Sequence, residues 1–185
     1  MKKVFLIFVM AFFAFGAIAQ NDENTQVRIP GGYQGFFELG NSWHFDKNMS
    51  ATIQISTTHG VFLSEHIYTG LGAALEWNAK YRIVPIYANI RYVFLSRSVA
   101  SPIVSMRLGS FITENMGAYG DLSAGVRFAT KTDLAFSVMV VGTYFSKIKY
   151  EYYDTFIDVF GNWHDELVEG KINPSCISLR VGFEW

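Results

Sequence analysis

Ile177-Ser178-Leu179-Arg180-Val181-Gly182-Phe183-Glu184-Trp185 alternates without a fault, with Ile, Leu, Val, Phe and Trp on one parity and Ser, Arg, Gly and Glu on the other. Successive side chains of a strand point to opposite faces, so this stretch is a strand with one apolar and one polar face. Working back from it, the same period recurs in seven further segments. Phe37, Leu39, Trp43 and Phe45 oppose Gln34, Glu38, Ser42 and His44; Ala51, Ile53 and Ile55 oppose Thr52, Gln54 and Ser56. Ile67, Leu71, Ala73, Leu75 and Trp77 oppose Tyr68, Gly70, Gly72, Ala74 and Glu76. Ile86, Ala88, Ile90, Tyr92 and Phe94 oppose Tyr87, Asn89 and Arg91, and Val104, Met106, Leu108 and Ile112 oppose Ser105, Arg107 and Gly109. Leu122, Ala124, Val126 and Phe128 oppose Ser123, Gly125 and Arg127; Leu134, Phe136, Val138, Val140 and Tyr144 oppose Ala135, Ser137, Met139 and Thr143.

Turn formers and charges separate the segments at 45–49, 63–66, 78–82, 96–100, 113–118 and 129–133. The last connection, 146–174, is far longer, and its start still alternates, as a strand would that continues into a raised hairpin. Eight evenly spaced strands with short connections predict an all-β, closed, antiparallel up-and-down barrel over residues 31–185. With an even strand count and the amino terminus in the periplasm, the long connection falls on the extracellular side, where such barrels carry their longer loops.

Alternation leaves open which face meets water, because a soluble lipocalin-like barrel binding an apolar ligand has the same period. Three features favour a transmembrane barrel with its apolar face outward. Lys47, Lys80, Lys131, Lys147, Lys149 and Lys171 all fall in connections or the raised hairpin, whereas a water-facing sheet would intersperse Lys and Glu along its strands. Aromatic residues of the apolar parity gather at segment ends, with Trp43, Phe45, Trp77 and Tyr144 at one level and Phe94, Phe128, Phe183 and Trp185 at the other, as interfacial girdles do. The polar parity carries Arg91, Arg107, Arg127 and Arg180 with Glu38, Glu76 and Glu184, which can pair with one another inside a narrow lumen.

Residues 1–19 read as a signal peptide: basic Lys2-Lys3, an apolar run from Val4 to Phe15, and Ala17-Ile18-Ala19 before Gln20. A periplasmic lead, 20–30, follows. Removing the signal takes away two of the 15 basic residues and none of the 16 acidic ones, leaving a net charge of −3, so nucleic acid is not an expected partner. No later segment has the run of about 18 apolar residues that a transmembrane helix needs, and only a closed barrel otherwise satisfies its backbone within hydrocarbon. The lone Cys176 excludes an intramolecular disulfide framework and reads as a small filler.

The stretches STTHGVFLSEHIYTGLGAALEW, VPIYANIRYVFL with SPIVSMRLGSF, GDLSAGVRF and SLRVGFEW resemble the small outer-membrane β-barrel proteins common in Bacteroidetes-type bacteria, over essentially the whole mature chain. That family shows a His-Gly turn before a Gly-x-Gly strand, a Pro-apolar-Tyr strand with an internal Arg, and a last strand ending in an aromatic. This chain departs from it in lacking a Pro in LSEHIY. The resemblance implies that Val181, Phe183 and Trp185 belong to the signal read by the barrel assembly machinery, and it transfers no catalytic role.

Some small outer-membrane barrels modify lipids, which brings His44, His59, His66 and His164 forward as general bases. His59, beside Gly60, reads instead as a turn or rim residue, and His66 falls in a periplasmic turn. No G-x-S-x-G, metal-ligand or phosphate-loop spacing occurs, so no catalytic residue, metal or cofactor is expected. The segment 146–174 is the candidate binding surface: Tyr150, Tyr152, Tyr153, Phe156, Phe160 and Trp163 alternate with five carboxylates (Asp154, Asp158, Asp165, Glu166 and Glu169), a mixture suited to sugar or protein contact. The expected function is a non-enzymatic structural or surface-interaction barrel in the outer membrane, in contact with its lipid, with a lipid-modifying enzyme and a soluble periplasmic binder as the alternatives.

Overall fold

The computed structural model describes residues 32–45, 50–78, 82–113, 117–130, 134–146, 148–157, 163–172 and 175–185, with the backbone alone from 148 to 172. The signal segment 1–19, the lead 20–30 and Phe160 lie outside the described residues. In chain order the strands are β1 (Gly32–His44), β2 (Thr52–Phe62), β3 (Ile67–Trp77), β4 (Arg82–Ile83), β5 (Pro85–Val93), β6 (Ala100–Phe111), β7 (Gly117–Ala129), β8 (Ala135–Phe145), β9 (Ile148–Ile157), β10 (Trp163–Ile172) and β11 (Ser175–Glu184). The long strands of the barrel carry aliphatic and aromatic residues on the parity that leaves it, which suits a pleated surface.

One antiparallel sheet runs β2-β1-β11-β8-β7-β6-β5-β3, and an additional β2–β3 pairing closes it on itself. Closure leaves no edge strand, so the ladder satisfies its own N–H and C=O groups. The two-residue β4 and β5 form one stave of the eight: Glu76 faces Ile83 and Ala73 faces Ile86 in a continuous register. The interruption at Val84 precedes Pro85, which has no N–H to give to the ladder.

The apolar parity faces outward: Leu39, Ile90 and Leu179 are 49, 51 and 46% exposed. The opposite parity is sealed, with Glu38 1% and Arg180 0% exposed. This overturns the soluble lipocalin-like alternative, whose apolar parity would line the interior. The start of β1 at Gly32, the end of β11 and the turns at 63–66 and 94–99 lie at one end of the barrel. Ser64 Oγ closes the first of these, accepting from the N–H groups of His66 (3.3 Å) and Ile67 (3.1 Å). Glu65 and Arg97 join the first to the second at 2.9 Å.

Three details differ from the sequence reading. The His-Gly turn implied by the family resemblance is not a turn: β2 continues through His59 and Gly60 to Phe62, because Thr57, His59 and Val61 extend the outer parity begun by Ile53. The sixth stave begins at Gly117 rather than Leu122 and so takes Tyr119 and Asp121 into the lumen. The segment 146–174 contains a separate two-stranded sheet, β9 with β10, in which Ile148 faces Ile172 and Ile157 faces Trp163.

Replacing Leu179, midway along β11 on the outer face, by Arg is expected to cost about 2–4 kcal/mol of folding stability in lipid vesicles, against about 1 kcal/mol or less for Val99→Arg in a turn. Urea titration of vesicle-inserted protein measures both, and equal small costs would contradict the outward assignment.

Candidate functional site

The lumen holds the densest chemistry of the described residues, and it is built from the polar parity of every stave. Eight charged side chains are buried there: Glu38, Glu76, Asp121 and Glu184 against Arg91, Arg107, Arg127 and Arg180. Three of these carboxylates, Glu38, Asp121 and Glu184, take the four guanidiniums as ion-pair partners, and Glu76 is held by Gln54 instead. Such pairing is what a low-dielectric interior demands, since an uncompensated buried charge costs several kcal/mol.

Glu38 on β1 organises the centre. Its Oε1 accepts from Arg91 Nη2 at 2.7 Å, and its Oε2 accepts from Arg107 Nη2 and from Ser56 Oγ, the latter at 3.3 Å. Arg107 Nη1 also donates to Ser56 Oγ at 3.3 Å. Asp121 on β7 is the second anchor: its Oδ2 accepts from Arg180 Nη2 at 2.9 Å and from the Tyr119 hydroxyl at 2.7 Å, with Arg107 Nε at 3.9 Å. Arg180 Nη1 also lies 4.0 Å from Glu38 Oε2, so the two carboxylates share a layer of three arginines. Gly182 makes room for this layer, because a Cβ there would stand 2.5 Å from Ser137 Oγ and 3.1 Å from Glu38 Cγ.

Toward the terminal end, Arg127 and Glu184 form a two-point pair, Nε to Oε2 at 2.8 Å and Nη2 to Oε1 at 2.7 Å. Toward the opposite end, Glu76 accepts from Gln54 Nε2, and Ser178 donates to Ser42 at 2.7 Å. Rings fill the remaining volume. The Arg91 guanidinium lies 4.0 Å over Phe36, and that of Arg107 lies 4.7 Å over Tyr87. Ile83, Phe111, Tyr119, Phe145 and Cys176 form a buried cluster above the charges, on the side of the β9–β10 hairpin.

All seven sequence-predicted lumen charges lie in this interior, while Asp121 was missing from the prediction. Its signal is the parity of Ser123 and Arg127 carried one step back, into the gap between the turn at 113–118 and Leu122. The inward rings of Phe36, Tyr87, Phe111, Tyr119 and Phe145 carried no comparable signal, since an aromatic residue is equally at home on either face. Of the predicted girdle residues, Trp43, Phe45 and Tyr144 are exposed at the hairpin end, where Trp77 is half-buried. Phe94, Phe128 and Trp185 are exposed at the terminal end, and Phe183 is half-buried there against Phe136, 5.3 Å between ring centres. Val181 is exposed in mid-strand. Tyr150, Tyr152, Tyr153 and Phe156 fall on β9, and Trp163 opens β10.

The described histidines do not assemble a catalytic centre with this network. His66 Nδ1 bonds the Val93 carbonyl at 2.8 Å in a turn, and His59 stands on the outer surface between the hydroxyls of Tyr33 and Thr57. Among the described residues no group of three or more His, Cys, Asp or Glu side chains is placed to hold a metal ion.

Solved structures with this arrangement include Neisserial surface protein A, which is 12% identical, with 83% of this chain and 96% of that one covered at a TM-score of 0.60. The fold is that of a small outer-membrane barrel. The N-terminal β-barrel domain of Pseudomonas aeruginosa OprF also matches, at 12% identity over 84% of this chain and 100% of that one, with a TM-score of 0.48. A major outer membrane protein from Thermus thermophilus overlays at 10% identity, over 83% and 99% of the two chains, with a TM-score of 0.40. No protein-family model and no curated protein sequence matches the chain.

Removing one member of the Arg127–Glu184 pair leaves the other buried without its two-point partner. Arg127→Met is expected to cost about 3–5 kcal/mol, most of it recovered in Arg127→Met with Glu184→Leu. Urea unfolding of the single and double variants in vesicles checks this, and additive losses would refute the pairing.

Proposed function

We propose that this protein is an integral barrel of a Gram-negative outer membrane, of the Bacteroidetes-type small barrel family, acting without catalysis as a structural and surface-interaction protein. The observation that carries the proposal is the inverted polarity: a predominantly apolar exterior around a lumen of buried, paired charges. On an outward lipid face each Arg of that lumen would cost about 2–4 kcal/mol near the midplane, and in water the exposed belt would aggregate. Eight strands leave an interior that side chains just fill, and here Arg, Tyr and Phe occupy it. A filled lumen suits a scaffold rather than a solute channel.

In this reading the β9–β10 hairpin is the presented surface. Its aromatic and acidic residues, Tyr150, Tyr152, Tyr153, Phe156 and Trp163 among them, stand on a rigid support beyond the outer leaflet. The strand β11, with Val181, Phe183 and Trp185, is the segment offered to the barrel assembly machinery during insertion.

Purified protein folded in detergent is expected to migrate differently before and after boiling, and in planar bilayers it should give no stable conductance steps. Large regular steps would rule out the filled lumen. Trypsin applied to intact cells should cut at the hairpin lysines Lys147, Lys149 and Lys171 and leave the barrel whole. Cleavage only after the outer membrane is broken would reverse the orientation.

A further inference from the structure

Asn41 is the one amide side chain on the outer parity of the described barrel strands. It lies directly across from Ile53 on β2 and Leu179 on β11, which are 47 and 46% exposed, and its neighbours on the outer face of β1 are Leu39 and Trp43. Val181, exposed and opposite Leu39, completes the aliphatic surround. The girdle stands beyond it: Trp43 is the next outward residue toward the hairpin end, and Ile53 is in turn faced by Trp77. Asn41 therefore sits on the hydrocarbon side of these rings, and its short side chain cannot span the distance of about 7 Å to the rung of Trp43. The amide is exposed and makes no side-chain hydrogen bond with any described residue. Other polar groups of the outer wall are engaged within the chain. Tyr33 Oη and Thr57 Oγ1 lie 2.6 and 2.9 Å from the ring nitrogens of His59, and Ser110 Oγ donates to the Gly117 carbonyl at 2.9 Å.

An amide facing lipid without a partner is costly, because nothing in hydrocarbon replaces the water it gives up. Acyl chains offer it neither donor nor acceptor, and the headgroups lie beyond the girdle. The amide carries both an NH2 donor and a carbonyl acceptor, so two copies of it satisfy each other with two N–H···O bonds. A two-fold axis along the membrane normal keeps both chains inserted the same way and brings their Asn41 residues together at one depth, which an unrelated partner would have to match by chance. The closed barrel sheet has no edge through which another strand can pair, so the contact is made wall to wall. Leu39, Ile53, Leu179 and Val181 form the wall at the amide. Their burial adds little drive in a bilayer, since lipid is as apolar as leucine, and the polar contact decides which face pairs.

We propose that the outer wall of β1 and β11 around Asn41 is a lateral two-fold interface with a second copy of this chain, closed by an Asn41–Asn41 amide pair within the membrane. The interface rests on the membrane-spanning reading, and the test separates the two. Donor- and acceptor-labelled full-length protein, carrying its label at Val99→Cys in a Cys176→Ser background, is folded into phosphatidylcholine vesicles over a range of protein-to-lipid ratios, and energy transfer is read at each. Transfer should persist on dilution to a midpoint ratio that Asn41→Leu raises about tenfold. Thr57→Val, which also makes the outer wall more apolar but leaves the amide in place, should not move that midpoint. An unchanged midpoint in Asn41→Leu would overturn the interface. So would an absence of transfer at every ratio from protein whose heat-modifiable mobility shows it folded and inserted. Protein that never inserts into the vesicles would overturn the membrane-spanning reading and the interface with it.

Discussion

Glu38 receives two guanidiniums in a space that neither water nor lipid can share with it, and the lumen is arranged around that constraint. A barrel wrapped in hydrocarbon has no wet side to which an inward charge can escape, so each must be paired or hydrogen-bonded, and Glu76 is held by Gln54. Asp121 answers Arg180, Glu184 answers Arg127, and Glu38 answers Arg91 with Arg107. The pairs join β1 to β5 and β6, and β7 to β11, so they tie staves across the interior that the backbone ladder links only around the circumference. The hydrogen-bonded ladder closes the cylinder; the charge layer sets which side chains occupy its axis.

The same constraint accounts for the outer surface. Once the polar parity is committed to the lumen, strict alternation places Leu39, Ile90, Leu122 and Leu179 outside, and the closed barrel sheet itself offers no edge strand to another chain. Rings at the strand ends then meet the two interfaces, where an amphipathic or aromatic body is best accommodated. The terminal end is a network of turns joined by Glu65 and Arg97, and the opposite end carries the hairpin. This asymmetry is common to small barrels, with short turns on one side and long loops on the other.

Much of this was legible in the sequence because period-two alternation with Arg on the polar parity has few physical outcomes. Residues 177–185 alone define two unlike faces, and Arg180 indicates which face is enclosed. Asp121 was hidden because it stands at a segment boundary beside Gly120, where composition resembles a turn, although the neighbouring strands hold it in the ladder opposite Arg107 and Thr143. His59 misled for a similar reason: a His-Gly pair resembles a turn, yet Gly60 is needed where a Cβ would stand 2.0 Å from the Thr69 carbonyl oxygen. The β9–β10 pairing was only half visible, as the alternation of Ile148, Tyr150 and Tyr152, because the run from Trp163 to Ile172 breaks the period of two with adjacent charges at 164–166 and adjacent apolar residues at 167–168.

The central claim is that the apolar parity faces lipid while the charged parity faces the axis, and site-directed spin labelling tests it most directly. Nitroxides placed singly at Leu39, Ile90 and Leu179 in bilayer-inserted protein should collide freely with oxygen and be shielded from a water-soluble nickel chelate. Strong nickel accessibility with weak oxygen accessibility at those three positions would contradict the account.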